Sequence, residues 1–388
     1  MRNKDLKSII DPISEEVFFR DYYAKKFLHI KRSDNKFYDQ LLTLEDVDKI
    51  LTTQNHIPIR IVKQKQVVPP ELYGTGKDLM AMIEYFNNGA SIVFDRLEAT
   101  WEPLRQLCWN VYKELGTCKD IFANVYYTPP SSQAFKIHMD WQENFILQVK
   151  GEKVWNLFEG EIMLPVTDAQ SKIFVKGIDE TKKTQTITLK EGDLLYVPRG
   201  LAHEVMTSDK QSLHITFTVI PMTKYDVGFQ MLGMASEVVK DLRTEIDRDF
   251  YKNPKANFKQ IIAALQSVSD SDLERFAEHI RWLYETNTNA SNLKNYFLDH
   301  YKMANENAEG LTYTLRKDIS INFIRLNDSS YRIQMKHSDF NIDVANEEIE
   351  FIMKGSSFKV SELPGELELE NKTELLKGLV SSGILTVS

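Results

Sequence analysis

Cysteine is almost absent from this 388-residue sequence, which contains only Cys108 and Cys118. Proteins that depend on disulfides carry more cysteines, and Cys108 lies on the apolar face of a predicted helix, so we expect two free thiols. The N-terminus shows no apolar signal core, and no run approaches the roughly 18 apolar residues that cross a bilayer. These absences argue against a disulfide framework and a membrane span, and we expect a cytoplasmic protein.

An excess of positive charge is also missing from the sequence. Lys and Arg number 48 against 56 Asp and Glu, so the formal net charge is −8 and the pI is about 5.6. This balance provides no general attraction to nucleic acid or to an anionic membrane. The last predicted helix, Thr373 to Ser382, carries only Lys377 against Glu374, unlike a DNA-reading helix. We therefore expect neither a membrane partner nor direct nucleic-acid binding.

The middle of the chain has the pattern of a β-rich domain. Seven or so short strands separated by turn residues predict a barrel or a sandwich. Lys150-Gly151 and Glu191-Gly192-Asp193 stand where hairpin turns belong. The predicted strands are FANVYY, ENFILQV, KVWNLF, QTITL, DLLYV, HEVM and SLHITFTVI.

The regions on either side of these strands have different patterns. Helices alternate with short strands up to about residue 118, and after Thr223 helices predominate, one of them with a capping box at Ser271 and Glu274. The later helices are rich in Met, Phe and Leu, which is typical of an oligomer interface, although an internal subdomain core fits the periodicity equally well. The last eighty or so residues read as strands followed by helices, which suits a small winged-helix-like module.

Two histidines and one carboxylate form the pattern that carries chemistry. His138 and Asp140 are two residues apart in an extended run, so both side chains face the same side of one strand, and His203 adds a third ligand from a distant strand. Such a set can hold one face of a metal ion and leave three positions open, as in non-haem Fe(II) oxygenases. The simple alternative is that this pattern arises by chance, because a lone histidine on a strand is more often a core residue than a metal ligand.

The segments IFANVYYTPPSSQAFKIHMDWQENFILQVKGEKVWNLF and LKEGDLLYVPRGLAHEVMTSDKQSLHITFTV resemble the JmjC-type cupin oxygenases, and among them the ribosomal oxygenase group. The resemblance implies an α+β protein with a double-stranded β-helix core, a helical dimerisation domain and a C-terminal winged-helix-like module. On this sequence these would span residues 1–222, 223–307 and 308–388. A homodimer is therefore expected.

The resemblance also assigns roles to individual residues. It makes His138, Asp140 and His203 the Fe(II) ligands, and it implies that Lys153 and Tyr126 hold the distal carboxylate of 2-oxoglutarate, a bond that a partly desolvated ammonium suits. Asn124 and Thr216 match positions near the site, as supporting or cosubstrate contacts. His214 is not a ligand in the family pattern, and we expect it either to belong to the core or to support the site.

Two positions depart from the family pattern. Ala134-Phe135 stands where many relatives have Gly-Phe or Gly-Leu, and Trp141 follows Asp140 where small or acidic residues are frequent. By resemblance, Ala134 and Trp141 border the substrate channel.

The function implied by the resemblance is hydroxylation of an amino-acid side chain, Arg or His, in a ribosomal protein or peptide by a 2-oxoglutarate-dependent dioxygenase. One alternative is hydroxylation of another peptide, such as a biosynthetic precursor. Another is a non-catalytic cupin that binds a partner, which the intact ligand set and Lys153 disfavour. A lysine demethylase is weaker, since no histone-reading or zinc module accompanies the core.

Overall fold

The structure, a computed structural model, describes residues 5–53, 57–63, 66–76, 78–132, 135–158, 160–179, 181–246, 248, 250–287, 295–335 and 338–388. It divides into two compact units, residues 1–226 and 227–388. Among the described helices, none is long and apolar enough to cross a membrane. Both cysteines are free and buried, as expected.

The first unit combines helices with a large antiparallel sheet. The helices are α1 (Leu6–Ile10), α2 (Glu15–Asp21), α3 (Leu44–Thr53), α4 (Leu79–Asn87), α5 (Glu102–Leu115) and α6 (Asp168–Phe174), with short 3-10 turns at Pro70–Gly76, Leu97–Ala99 and Val175–Gly177. The strands are β1 (Leu28–Ile30), β2 (Ile59–Lys63), β3 (Gln66–Val67), β4 (Ser91–Phe94), β5 (Cys118–Thr128), β6 (Phe135–His138), β7 (Glu143–Phe158), β8 (Lys183–Lys190), β9 (Leu194–Val197) and β10 (His203–Pro221).

Helix α5 shows how the sequence sets these elements. Pro103 lies in its first turn, Leu104, Leu107 and Val111 are buried on one face, and Gly116 ends the helix at φ +66°. A left-handed residue of this kind favours glycine because it has no Cβ to clash. The helical spacing of these apolar residues, with Pro103 in the first turn and Gly116 as the stop, predicts a core-packing helix from the sequence alone, and the structure confirms it.

Strands β7 and β10 form the centre of the sheet, whose order is β1-β9-β7-β10-β5-β4-β2-β3. Both strands are long and each takes different neighbours along its length. The first half of β7 pairs with β9 and its second half with β8, while β10 pairs with β6 near its start and with β5 further on. Two long strands thus each join two sets of neighbours in one antiparallel sheet of ten strands, and the expected cupin core and α+β class are confirmed.

The predicted hairpin turn at Lys150-Gly151 is wrong, because β7 runs straight through it. Gly151 has φ +67°, and a Cβ there would lie 1.8 Å from the carbonyl oxygen of Gln211 on β10. The glycine thus lets β10 come close to β7 at the point where the pairing of the two strands shifts register, and it does not reverse the chain. HEVM and SLHITFTVI likewise form one strand, β10. The other predicted turn is confirmed, since Asp193 N donates to Lys190 O between β8 and β9.

The second unit contains helices and two small sheets. Its helices are α7 (Lys224–Val238), which begins just before the boundary, α8 (Pro254–Gln266), α9 (Asp270–Asn287), α10 (Tyr296–Asn305), α11 (Asn346–Met353) and α12 (Leu369–Ser381), with 3-10 turns at Lys240–Arg243 and Val360–Glu362. The strands are β11 (Tyr313–Leu315), β12 (Asn322–Asn327), β13 (Ser330–Met335), β14 (Ser338–Asp343) and β15 (Leu385–Val387).

The two sheets have simple topologies: β12, β13 and β14 form an antiparallel meander, and β11 pairs with β15. The predicted start of α9 is wrong by two residues. Ser269 Oγ, and not Ser271, accepts from the backbone N–H of Asp272. Each serine is followed three residues later by an acidic residue, Asp272 after Ser269 and Glu274 after Ser271. The sequence pattern therefore does not show which serine caps the helix.

Candidate metal and cosubstrate site

Three side chains meet at the mouth of the β core. His138 ends β6, Asp140 follows it, and His203 begins β10 directly opposite His138 in the strand pairing. Asp140 Oδ1 lies 3.8 Å from His138 Nε2, and Asp140 Oδ2 lies 3.7 Å from His203 Nε2. The three potential ligand atoms all lie within 4.8 Å of one another, close enough to share one ion. The structure therefore brings the three predicted ligands together.

A tight turn before β10 holds this geometry. Gly200 donates its N–H to the carbonyl oxygen of Asp140 over 2.8 Å and has φ +82°. A Cβ at this position would lie 2.8 Å from Leu164 N and 2.9 Å from Met163 N. Glycine is required here both by the backbone conformation and by the close approach of a second chain segment. The turn thereby ties the start of β10 to the residue that carries the carboxylate.

Hydrogen bonds orient both kinds of ligand. Asn144 Nδ2 donates to Asp140 Oδ2 over 2.6 Å, and Thr218 Oγ1 donates to Asn144 Oδ1 over 2.8 Å. His203 Nδ1 lies 3.0 Å from the carbonyl oxygen of Leu201, so its proton is donated there and Nε2 is left for a metal. Burial, assisted by His138, lowers the pKa of His203 to about 4, which keeps the imidazole neutral, as ligation requires.

The donor set fits Fe(II). Two imidazole nitrogens and one carboxylate oxygen on one side of an ion leave the opposite positions open for a cosubstrate and O₂. The open side faces a cavity of about 700 Å³. Besides the ligands, it is lined by side chains from β2, β3, β5, β6, β7, β9, β10 and α6 and from the segments next to them. Among these side chains are Arg60, Phe122, Gln142, Trp155, Asp168, Lys172 and Val175.

Lys153 lies on β7 in this cavity and is only 3% exposed. Its Nζ donates to Thr128 Oγ1 over 3.2 Å, and no carboxylate among the described residues pairs with it. Burial lowers the pKa of Lys153 to about 7. A buried amine without a counter-ion is costly, so this position fits an anionic ligand that would supply the missing charge.

Tyr126 and His214 stand beside Lys153 in the cavity. Their rings stack with centroids 4.8 Å apart and planes 4° apart, and Lys153 Nζ lies 5.9 Å from the Tyr126 ring centroid. Burial raises the pKa of Tyr126 to about 12, so the phenol remains a hydrogen-bond donor. Asn124 and Thr216 also line the cavity, although Asn124 Oδ1 already accepts from the backbone N–H of Arg96 over 2.8 Å.

The two predicted channel residues do not appear in the described lining. Ala134 falls outside the described residues. Trp141 is not among the side chains that line the cavity where the chain is described; Lys119 Nζ lies 5.7 Å from its ring centroid and pairs with Asp226 over 2.7 Å. The role predicted for Trp141 at the channel thus receives no support from its position.

Sequence reasoning missed several residues of the site. Asn144 follows Asp140 by four positions and lies on the inner face of β7. This position was the one feature of the sequence that could have indicated a contact with the Asp140 carboxylate. Arg60 enters the cavity from β2, where its guanidinium pairs with Asp95 through Nη2 over 2.7 Å, and nothing in its sequence context distinguishes it from a surface arginine.

Comparison with known proteins agrees with this geometry. Residues 100–227 match the JmjC domain family. The bifunctional lysine-specific demethylase and histidyl-hydroxylase NO66 of Drosophila mojavensis is 32% identical over 226 residues, which cover 57% of this chain and 25% of that protein. Its counterpart in Drosophila melanogaster is 31% identical over 57% of this chain and 34% of its own length. The chain thus spans about a third or less of these relatives.

Solved structures share the fold along almost the whole chain. The ribosomal oxygenase YcfD of Escherichia coli, in complex with cobalt and succinic acid, superposes with a TM-score of 0.56 at 13% identity, covering 97% of this chain and 99% of that one. The same protein with cobalt and 2-oxoglutarate gives a TM-score of 0.54. The JmjC match confirms the predicted resemblance over residues 100–227, and the assembled triad fits the predicted cofactors, Fe(II) and 2-oxoglutarate.

Proposed function

This chain carries a JmjC-type 2-oxoglutarate oxygenase domain, and from that premise we propose that it hydroxylates an amino-acid side chain of a ribosomal protein. The observation that carries the proposal is one cavity with the ligand triad on its wall and the buried amine of Lys153 inside it. Bound Fe(II) and 2-oxoglutarate supply the oxidising chemistry: decarboxylation of the oxo acid to succinate and CO₂ is coupled to insertion of one oxygen atom of O₂ into a C–H bond.

The chain's own residues bind and orient. His138, Asp140 and His203 hold the metal on one side, while Asn144 fixes the carboxylate that faces it. Lys153 receives the distal carboxylate of the oxo acid. A cupin that only bound a partner would gain nothing from a buried amine beside an intact ligand triad, which disfavours the non-catalytic alternative.

The charges in the cavity favour histidine over arginine as the target. Of the carboxylates in the described lining, Asp140 belongs to the metal site, and Asp168 pairs with Lys172 over 2.5 Å. A guanidinium or a methylated ammonium entering the cavity would therefore meet no uncommitted acidic group, whereas a neutral imidazole needs none. The histidyl-hydroxylase part of the relatives' name points the same way.

The experiment uses ribosomal proteins from cells that lack the gene. They are incubated with Fe(II), 2-oxoglutarate and either the wild-type protein or His138→Ala, and peptides are analysed by mass spectrometry. We expect one added oxygen on a histidine with the wild type alone. Oxygen on an arginine would shift the assignment to that residue, and loss of a methyl group would indicate demethylation. Succinate formation without any modified ribosomal protein would favour a different peptide substrate.

We also propose that the region predicted as the dimerisation domain, residues 223–307, contacts a second copy of the chain. Several large apolar side chains on its described helices and turns are solvent-exposed, among them Phe229 (68%), Tyr251 (88%) and Phe258 (55%). Such exposure on a monomer is typical of an association surface. We expect the wild-type protein to have the mass of a dimer in solution. The double variant that combines Phe229→Asp and Phe258→Asp should have the mass of a monomer. Met80→Asp, at an equally exposed position of α4, serves as the control.

The C-terminal region, residues 308–388, is proposed to be the winged-helix-like module. Its three-stranded meander β12–β14 together with α11 and α12 supports this proposal. The side chains of both helices and of the strands share one buried apolar cluster, which includes Ile333, Ile349 and Leu376.

A further inference from the structure

We propose that the imidazole of His214 binds the distal carboxylate of 2-oxoglutarate directly, as a neutral hydrogen-bond donor beside Lys153. The proposal deepens the proposed function and rests on it. It gives a direct binding role to a histidine that the sequence alone placed in the core or among the residues that support the site.

The strand pairing brings His214 to the place where such a ligand would lie. His214 is on β10, opposite Tyr126 of β5 and Gln148 of β7. It lines the same cavity as Lys153, and its ring is packed between the parallel face of Tyr126 and the edge of Trp155, at centroid distances of 4.8 and 6.3 Å. The ring is thus held rigidly on two sides while it remains part of the cavity wall.

One of the two nitrogens of this ring is not satisfied by the described residues. The side chain is 3% exposed, and its Nδ1 is enclosed without a hydrogen-bond partner in the described part of the chain. Buried polar atoms are nearly always paired, and each exception calls for an explanation. By contrast, the ligand His203 donates its Nδ1 proton to the carbonyl oxygen of Leu201. Burying an unpaired nitrogen costs free energy, which an apolar ring of similar shape would avoid. A role in packing alone therefore does not explain a histidine at this position.

The charge state of the ring suits a donor to an anion. Burial and the nearby Lys153 amine lower the pKa of His214 well below its usual value, so the ring is neutral and carries one N–H. A neutral donor can share a carboxylate with the ammonium of Lys153 without the repulsion that a second cation would introduce. Thr128 already occupies one N–H of Lys153, which leaves its other protons for the same carboxylate.

The test measures ligand binding without turnover. The wild-type protein, His214→Phe and His214→Gln are loaded with Co(II), and the dissociation constants of 2-oxoglutarate and 2-oxopentanoate are measured by calorimetry. The second ligand has the same chain length but carries a methyl group in place of the distal carboxylate. The phenylalanine keeps a flat ring on Tyr126 but removes the N–H, and the glutamine retains a donor. The control is His29→Phe, since His29 is partly buried outside the cavity and pairs with Asp193 over 3.3 Å.

We expect His214→Phe to weaken 2-oxoglutarate binding by about 10- to 100-fold, the range for a hydrogen bond to a charged group, and to change 2-oxopentanoate binding by less than about twofold. The affinity for Co(II) should not change, and glutamine should restore part of the loss. The melting temperature of the metal-free phenylalanine variant should equal or exceed that of the wild type, whereas His29→Phe should lower it without changing either ligand affinity.

Two results overturn the inference alone: unchanged binding of 2-oxoglutarate by His214→Phe, or an equal loss for both ligands, which would indicate general damage to the site. Absence of 2-oxoglutarate binding by the wild type would instead overturn the proposed function, and the inference with it.

Discussion

The buried amine of Lys153 should make the binding of 2-oxoglutarate weaker as the pH rises above neutrality. Burial lowers the pKa of Lys153 to about 7 in the ligand-free protein, from an ordinary value near 10. A carboxylate binds the ammonium form, so binding must restore the proton where the free amine has lost it. Affinity should therefore be highest below about pH 7 and fall above it, up to the higher pKa that the bound carboxylate confers.

The magnitude follows from that value. With a pKa of about 7, about one tenth of the free amines are protonated at about pH 8 and about nine tenths at about pH 6. The apparent dissociation constant should therefore rise about tenfold over this interval, because only the competent fraction binds. Binding at about pH 8 should also take up about 0.9 proton per site. His203, with a pKa of about 4, remains neutral throughout and contributes nothing to this change.

The assay is calorimetric titration of the Co(II)-loaded protein with 2-oxoglutarate between about pH 6 and 9, repeated in buffers of different ionisation enthalpy. Lys153→Arg is the matched control, because a guanidinium stays charged over this range and should remove both the pH dependence and the proton uptake. A flat affinity profile for the wild type, or the same slope in the arginine variant, would refute the reasoning.

Three further predictions concern the support of the site. Asn144→Leu removes the 2.6 Å hydrogen bond to Asp140 and should lower metal affinity by about 10- to 100-fold, measured by Co(II) titration; unchanged affinity would contradict the role of Asn144. Lys153→Met should raise the free energy of unfolding at neutral pH by about 1–4 kcal/mol, and the gain should shrink towards pH 10 or so, because the unfolded chain binds the extra proton between these values; a less stable variant in urea would argue against a costly buried amine. Gly200→Ala, with its Cβ 2.8 Å from Leu164 N, should cost about 2 kcal/mol or more and weaken metal binding; an unaltered urea midpoint would show that this turn tolerates a side chain.

Sequence patterns were sufficient where one segment carries all the information. The apolar run Ser91–Phe94 after Asn87-Asn88-Gly89 predicts a strand, and Pro103 and Gly116 predict the two ends of a helix; the structure contains both elements. The ligand pair His138 and Asp140 belongs to the same class, since two-residue spacing on an extended chain places both side chains on one face.

Contacts between distant strands could not be predicted in this way. Gly151 has the backbone conformation of a turn residue, but only its close contact with Gln211 shows that it lets β10 approach β7 where their pairing shifts register. Asn144 and His214 look like ordinary strand residues until the partner strands place one beside Asp140 and the other beside Lys153. Arg60 comes from a strand far along the chain from the ligands, and no local pattern links it to them.

The central claim is that the triad and Lys153 form one catalytic centre for 2-oxoglutarate. It is tested most directly by succinate formation from 2-oxoglutarate and O₂, with and without Fe(II). We expect slow, iron-dependent succinate formation by the wild type even without a peptide, and none by His138→Ala or His203→Ala. Lys153→Met should require a far higher concentration of the oxo acid. Equal rates in the wild type and both histidine variants, or no succinate under any condition, would contradict the account.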